Sequence, residues 1–476
     1  LKKVKKFSFR TELKMDNYRK CIAFHNLGCK VNAYETSAMT LAFEQAGYQI
    51  VPFEEKADIY VINTCSVTNI ADRKSRQMLH RAAKQNPDAV IVAVGCYAQA
   101  ASRELAEDPL VHIIVGNNRK ADIVSIVERY LSETASTQEE KPTLVDVLDI
   151  ARENCYENMK VDAASSRNRA YIKIQDGCNV FCTYCIIPLT RGRIRSRAVA
   201  DVLAEAERLA SQGVSEIVLT GIHVSSYGRD WLQTGDANTA AVPPLLSLLR
   251  RLQDIPQIRR IRLSSLEPRV VTEEFATELK KLWKVCPHFH LSLQSGCDAT
   301  LKRMNRRYTA QEYAESCERL RRVYDRPAIT TDVIVGFPGE TEEEFAETVR
   351  YLEQIDLYEM HVFKFSARKG TPAARMPQQM TEAVKASRSD VLLEMNDRHS
   401  KAYRARFAGK TMEILVEETT RIGDREYYVG FTTNYIRVAV PTQEADLAVN
   451  ALVRVTLSEK TVGADAVLGV VVSTDP

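Results

Sequence analysis

Short apolar runs alternate with amphipathic stretches along most of the 476-residue chain. Among residues 20–131, Cys21–Phe24, Ala57–Ile62, Ala89–Val94 and Val111–Val115 predict strands. Tyr34–Ala46, Ile70–Lys84 and Ala121–Leu131 carry a helical pattern. This βα alternation predicts a parallel α/β sheet with helices on its faces. Residues 132–168 are polar and turn-rich and read as a linker, with an apolar run near Leu144 that could add an edge strand. Over residues 169–378 the alternation resumes. Strands are expected at Ala170–Ile174, Glu216–Thr220, Arg260–Leu263, Phe289–Leu293, Ile329–Val335 and Met360–Phe365, with helical patterns between them. Six βα units predict an open or partial TIM-like barrel, with its chemistry at the carboxyl ends of the strands. Residues 379–403 read as a connecting helix. Five short runs between Gly, Pro and Asn turns in residues 404–474 predict a small antiparallel β-barrel.

Composition narrows this picture. Hydrophobic content of 45% and charged content of 27% fit a packed, soluble protein. The formal charge is only +3, so a nucleic-acid surface has to be a local patch. No apolar run approaches the ~18 residues a membrane span needs. Residues 1–19 are basic with no apolar run behind them, and are expected to be a disordered leader rather than a secretory signal. Eleven scattered cysteines argue for a reducing, cytoplasmic setting rather than a disulfide framework.

The cysteines carry the chemistry. Cys178, Cys182 and Cys185 form C-x3-C-x2-C just after the first strand of the central region. Three thiolates this close can hold one cubane iron–sulfur cluster and leave one iron open for a small molecule. A zinc knuckle or reduced structural cysteines are the alternatives; zinc would require a fourth ligand nearby. Cys29, Cys65 and Cys96 each follow an N-terminal strand, 36 and 31 residues apart. Parallel strands bring such loops together, and the three thiols suggest a second cluster with an open iron. Buried core cysteine is the plainer reading. Cys21, inside a strand, is expected to pack; Cys155 is given no catalytic role, and Cys297, lacking a partner thiol, is read as a bystander. Asn26, Asn32, Asn63 and Asn69 crowd the same loops, which turn formation explains.

Around the expected barrel mouth, Thr220, Gly221, Ser225, Gly228, Ser264, Gln294, Gly336 and Gly339 are candidates for cofactor contact. His288 and His290 alternate along a strand and read as packing or rim positions. Arg191, Arg193, Arg195 and Arg197 form one basic group, and Lys302, Arg303, Arg306 and Arg307 another; together they suggest a funnel for nucleic-acid phosphates. Arg404 and Tyr435 extend the candidate RNA contacts into the C-terminal module, where Tyr427, Tyr428 and Phe431 could also stack on bases.

The C-x3-C-x2-C triplet resembles the signature of radical S-adenosylmethionine enzymes, and the whole chain resembles a methylthiotransferase. That resemblance implies an auxiliary [4Fe–4S] cluster on Cys29, Cys65 and Cys96. It implies an S-adenosylmethionine-cleaving [4Fe–4S] cluster on Cys178, Cys182 and Cys185, and a C-terminal RNA-binding TRAM domain. LGCKVNAYE (Leu27–Glu35), GCNVFCTYCIIPLTRGRIRSR and LKRMNRRYT resemble the subgroup acting on N6-threonylcarbamoyladenosine beside the tRNA anticodon. The expected reaction is radical removal of the C2 hydrogen and transfer of a methylated sulfur. The expected partners are the anticodon loop, an electron donor such as flavodoxin or ferredoxin, and the iron–sulfur assembly machinery. A monomer or weak dimer is expected. Alternatives are a methylthiotransferase acting on isopentenyladenosine or on a ribosomal-protein aspartate, and a non-catalytic iron–sulfur RNA-binding protein.

Overall fold

The computed structural model describes residues 20–135, 142–162, 168–233 and 243–474; the basic leader and parts of the linker lie outside these. Six parallel strands form the N-terminal sheet: β1 (Cys21–Asn26), β2 (Gln49–Val51), β3 (Ile59–Thr64), β4 (Val90–Gly95), β5 (Ile113–Val115) and β6 (Leu144–Asp146), in the order β2-β1-β3-β4-β5-β6. The edge strand near Leu144 is present as β6. The other edge, β2, is additional; its three residues are too few and too exposed to leave a pattern. β1, β3 and β4 are neighbours, so the loops after them converge. Helix α1 (Lys30–Gln45) follows β1, α2 (Asn69–Gln85) lies between β3 and β4, and α3 (Cys96–Ala100) follows β4 directly.

The central region holds β7 (Arg169–Asp176), β8 (Arg195–Ser196), β9 (Glu216–Gly221), β10 (Arg260–Leu263), β11 (His288–His290), β12 (Ala328–Val335) and β13 (Glu359–Lys364). Two sheets, β10-β9-β7-β8 and β11-β12-β13, are joined by single bridges, Ile261 to Val285 and Leu266 to Leu291. Except for antiparallel β8, the ladders are parallel, and the assembly is an open partial barrel. Side chains alternate along each strand. Ile261, Leu263, Phe289, Ile329, Val333 and Met360 enter the main hydrophobic core. Arg260, Arg262, His288, His290, Thr330 and Asp332 alternate with them and give the inner face its polarity.

Helix Glu382–Ala405 leads into a closed barrel of β14 (Thr411–Ile422), β15 (Arg425–Thr432), β16 (Arg437–Pro441), β17 (Leu452–Val462) and β18 (Ala466–Thr474). Its ladders are antiparallel apart from β16–β18. This module caps the amino ends of β7, β9 and β10. Arg260 donates to the Phe431 carbonyl (2.9 Å), and Arg262 to the carbonyls of Thr432 (2.8 Å) and Thr433 (2.9 Å). Glu216 lies under both Arg169 (2.6 Å) and Arg262 (2.7 Å). Burial would raise its carboxyl, but Arg262 and Arg169 hold it at about 2. Among the described residues no helix is long and apolar enough to cross a membrane.

Candidate active site

Cys178, Cys182 and Cys185 occupy the loop after β7. Two features fold it tightly: a Cys185 N–H to Cys182 carbonyl bond of 3.0 Å, and Phe181 in the left-handed region at φ 55°. Burial, followed by the Cys182 charge among the raising effects, pushes the Cys178 thiol up to about 11. Burial and Cys182 also push Cys185 well up. Cys178 and Cys185 resist ionisation and crowd against Cys182, and three thiols so placed suit a shared cationic centre. Arg306 meets this loop, donating from Nη1 to Cys182 Sγ at 3.2 Å and from Nε to the Tyr308 hydroxyl at 2.8 Å.

The loops after β1, β3 and β4 bring Cys29, Cys65 and Cys96 into one neighbourhood. Gly28 sits at φ 110°, where a Cβ would lie 3.0 Å from Cys65 Sγ. Gly95 sits at φ 95°, where a Cβ would lie 2.5 Å from Asn63 Oδ1 and 2.8 Å from the Thr64 carbonyl. Glycine lets the strand ends close at both points. Burial, then Cys96, raises Cys65 to about 11. Asn32 braces the cluster of loops through the carbonyls of Leu27 (2.8 Å) and Thr64 (3.1 Å), and Asn63 donates to the Asn32 carbonyl at 3.0 Å. Two of the asparagines noted for turns therefore hold these loops in register.

A buried network joins the two thiol sets. Arg191, six residues past Cys185, is fully buried. Its Nε lies 3.3 Å from Cys96 Sγ, and its Nη atoms reach Glu35 (2.7 Å), Asp176 (3.1 Å) and Asn32 (2.7 Å). Lys120 and Lys173 complete the Glu35 shell at 2.5 and 2.7 Å. Burial would raise the Glu35 carboxyl, but Arg191, Lys120 and Lys173 hold it well below the usual range. A second interdomain clasp comes from Arg368, which reaches Asp72, Asn69 and Ser66 Oγ.

The basic groups therefore divide differently from the expected RNA funnel. Arg191 and Arg195 are buried, as is Arg197, which pairs with Glu205 at 3.0 Å. Their partners lie on other elements, Asp176 and Glu205 within the central region and Glu35 in the N-terminal domain, so the linear pattern resembled a surface stripe. Arg306 belongs to the cysteine loop. Arg404 is buried and bonds to Ser400 Oγ. Tyr435 stacks on His288 (4.4 Å, 1°) and Phe431 (4.7 Å), beneath Arg169 and Arg262, at the foot of the barrel. Tyr427 is core. Arg193 and Arg307 remain on the surface, Arg193 over the Phe181 ring at 4.4 Å.

The mouth candidates divide as well. The Ser264 hydroxyl is buried with no partner among the described residues, a position that fits a ligand. Gln294 ends its segment at φ 76°, a strained conformation typical of working sites. Ser225 Oγ accepts from the Glu267 N–H at 2.8 Å, tying two mouth loops together. Thr220 is buried in β9, and Gly221 lies against the Gln175 backbone. Gly228 packs on Pro244, Gly336 under Lys385 and Gly339 beside Gln378, all three at positive φ. Glu267 and His223, 3.5 Å apart, join Cys178 and Arg306 at the mouth without a sequence signal beyond loop position. His290, Asp332 and His361 meet on the inner face, with their ligand atoms within 4.8 Å of one another.

A profile described as Radical SAM superfamily matches residues 172–352, and one described as Uncharacterized protein family UPF0004 matches residues 21–116. A solved structure of the radical S-adenosylmethionine methyltransferase TsrM from Kitasatospora setae shares the fold: TM-score 0.51, 17% identity, 75% of this chain and 77% of that one. The partial barrel and its triple-cysteine loop define a radical S-adenosylmethionine enzyme. The protein named threonylcarbamoyladenosine tRNA methylthiotransferase MtaB in Bacillus subtilis (strain 168) is 43% identical over 418 residues, covering 88% of this chain and 89% of its own. Its namesake in Aquifex aeolicus (strain VF5) is 38% identical over 91% of this chain and 99% of its own. The tRNA-2-methylthio-N(6)-dimethylallyladenosine synthase of Methylacidiphilum infernorum (isolate V4) is 33% identical, covering 88% of each chain. The chain belongs to the methylthiotransferase family of radical S-adenosylmethionine enzymes.

Proposed function

We propose that the protein converts N6-threonylcarbamoyladenosine at tRNA position 37 to its 2-methylthio derivative. In this reading Cys178, Cys182 and Cys185 hold the cluster that binds S-adenosylmethionine, and Cys29, Cys65 and Cys96 hold an auxiliary [4Fe–4S] cluster. The supporting observation is structural: two crowded thiol triplets flank one buried charge network, in which Arg191, six residues past Cys185, donates to Cys96 Sγ and binds Glu35 and Asp176. The substrate follows the relatives named for threonylcarbamoyladenosine tRNA. When bound, the two groups supply a 5′-deoxyadenosyl radical and a sulfur donor.

The protein's own share is placement and shielding. A ring C–H is not acidic at neutral pH, so a general base would achieve little there. Arg306 sets a positive charge against Cys182, where a loaded cluster would be anionic. Ser264 and Gln294 present polar groups at the mouth. Arg193 and Arg307 offer surface charges for the tRNA backbone. An anticodon loop presents unpaired bases, so no helix has to be opened.

Anaerobic reconstitution with iron, sulfide and S-adenosylmethionine tests this, with nucleoside mass spectrometry of threonylcarbamoylated, isopentenylated and unmodified tRNA. Product on the first substrate is expected. Product only on isopentenylated tRNA, or only on a ribosomal-protein peptide, would overturn the reading.

A further inference from the structure

The inner face of the barrel is crowded with cations, and almost all of them are engaged. Arg169 is bound to Glu216 and Glu417, Arg260 to Glu413, and Arg262 to Glu216 and two carbonyls. Deeper in, Lys173 is held by Glu35 and Asp176. Lys30 differs. It is the first residue of α1, directly after Cys29, and lines a cleft with Arg169, Tyr171, Arg262, His288 and Tyr435. Its ammonium has no ion-pair or hydrogen-bond partner among the described residues. The charges that act on it are Arg169, Arg262, Asp332 and Cys29, in falling order, so two cations lead and Asp332 lies beyond ion-pair distance. It also stands at the positive end of a 16-residue helix with no acid in its first turn. Arg169, Arg262 and the helix end work against the ammonium while Asp332 and Cys29 favour it, and an anion seated beside this exposed lysine would offset the first three.

The substrate assigned above carries such an anion. Its N6 arm ends in a carboxylate that is ionised at neutral pH, about seven bonds from C2, the atom that must approach the Cys29 loop. A carboxylate drawn into a protein cleft needs a cation to replace its water. We propose that Lys30 is the recognition cation for the carboxylate of the N6 substituent, and so a specificity-determining residue. His361, which has no hydrogen-bond partner among the described residues, stands with His290 and Asp332 on the same inner face and offers polar contacts for the rest of the arm.

This rests on the substrate reading, and one experiment separates the two. Reconstituted wild type, Lys30→Gln and Lys30→Arg are compared on tRNA carrying threonylcarbamoyladenosine, and for binding to the same tRNA with plain adenosine at that position. Iron and sulfide content and tRNA-independent cleavage of S-adenosylmethionine are measured alongside. The expected result for Lys30→Gln is a loss of about 10- to 100-fold in kcat/KM, mostly in KM, and loss of the preference for the substituted base. Metal content and cleavage stay unchanged, and Lys30→Arg retains part of the preference. Wild-type efficiency in Lys30→Gln would overturn the assignment, as would a loss that only follows lost iron. A wild type indifferent to the threonyl arm would instead sink the substrate reading, and this inference with it.

Discussion

The two thiol triplets achieve similar crowding by opposite routes. Cys178, Cys182 and Cys185 lie within one eight-residue loop, closed by a single backbone bond and one left-handed residue. Cys29, Cys65 and Cys96 depend on three neighbouring strands, two close-packed glycines and the Asn32 and Asn63 braces. A local set survives as long as its loop does. An assembled set is only as secure as the register of the sheet and the docking of the next domain, where Arg191 supplies the link.

The largest expected effect separates the sets by chemistry. Cys182→Ala should abolish reductive cleavage of S-adenosylmethionine, whereas Cys65→Ala should keep cleavage and lose methylthiolated product. 5′-Deoxyadenosine and product measured on the same samples check this, and equal loss of cleavage in both would erase the distinction. Next is Arg191→Leu, which leaves Glu35 and Asp176 underpaired in the interior. A destabilisation of about 3–5 kcal/mol by denaturant titration is expected. No loss would mean the sets are not mechanically linked through this residue.

At the other end of the barrel, Glu216 gives a pH signature. Its carboxyl is lowered from 4.5 to about 2 in the folded protein. Its contribution is therefore full above pH 4.5 and disappears as pH falls toward 2, a change of about 3 kcal/mol. Glu216→Gln should flatten stability across that window; an unchanged slope would place the acid sensitivity elsewhere. The smallest expected effect belongs to Ser264→Ala. Removing an unpartnered buried hydroxyl should leave the melting temperature unchanged or slightly higher, and weaken S-adenosylmethionine binding a few-fold by calorimetry. Unchanged affinity would remove Ser264 from the cofactor contacts.

The βα rhythm was readable because period-2 and period-3.6 patterns are local. The six parallel strands of the central region and the closed C-terminal barrel follow from it, with end shifts of a few residues. What escaped was long-range charge. Arg191, Arg195 and Arg197 looked like a stripe because their acids, Glu35, Asp176 and Glu205, lie on other elements, from 8 residues away in the case of Glu205 to 156 in that of Glu35, and no spacing pattern reports them. Tyr435 looked like a base-stacking aromatic because nothing near it in sequence reveals His288 lying flat against it. Glu267 and His223 were overlooked because a lone acid and a lone imidazole in loops carry no spacing signal.

Arg260 and Arg262 grip the C-terminal module by main-chain oxygens of residues 431–433. Any residue presents a carbonyl there, so this part of the joint does not depend on which side chains the hairpin carries. Side-chain identity enters the joint elsewhere, where Tyr435 lies flat on His288 and where Glu413 and Glu417 meet Arg260 and Arg169. The main-chain grip therefore sets where the two modules meet, and the side-chain pairs set how tightly.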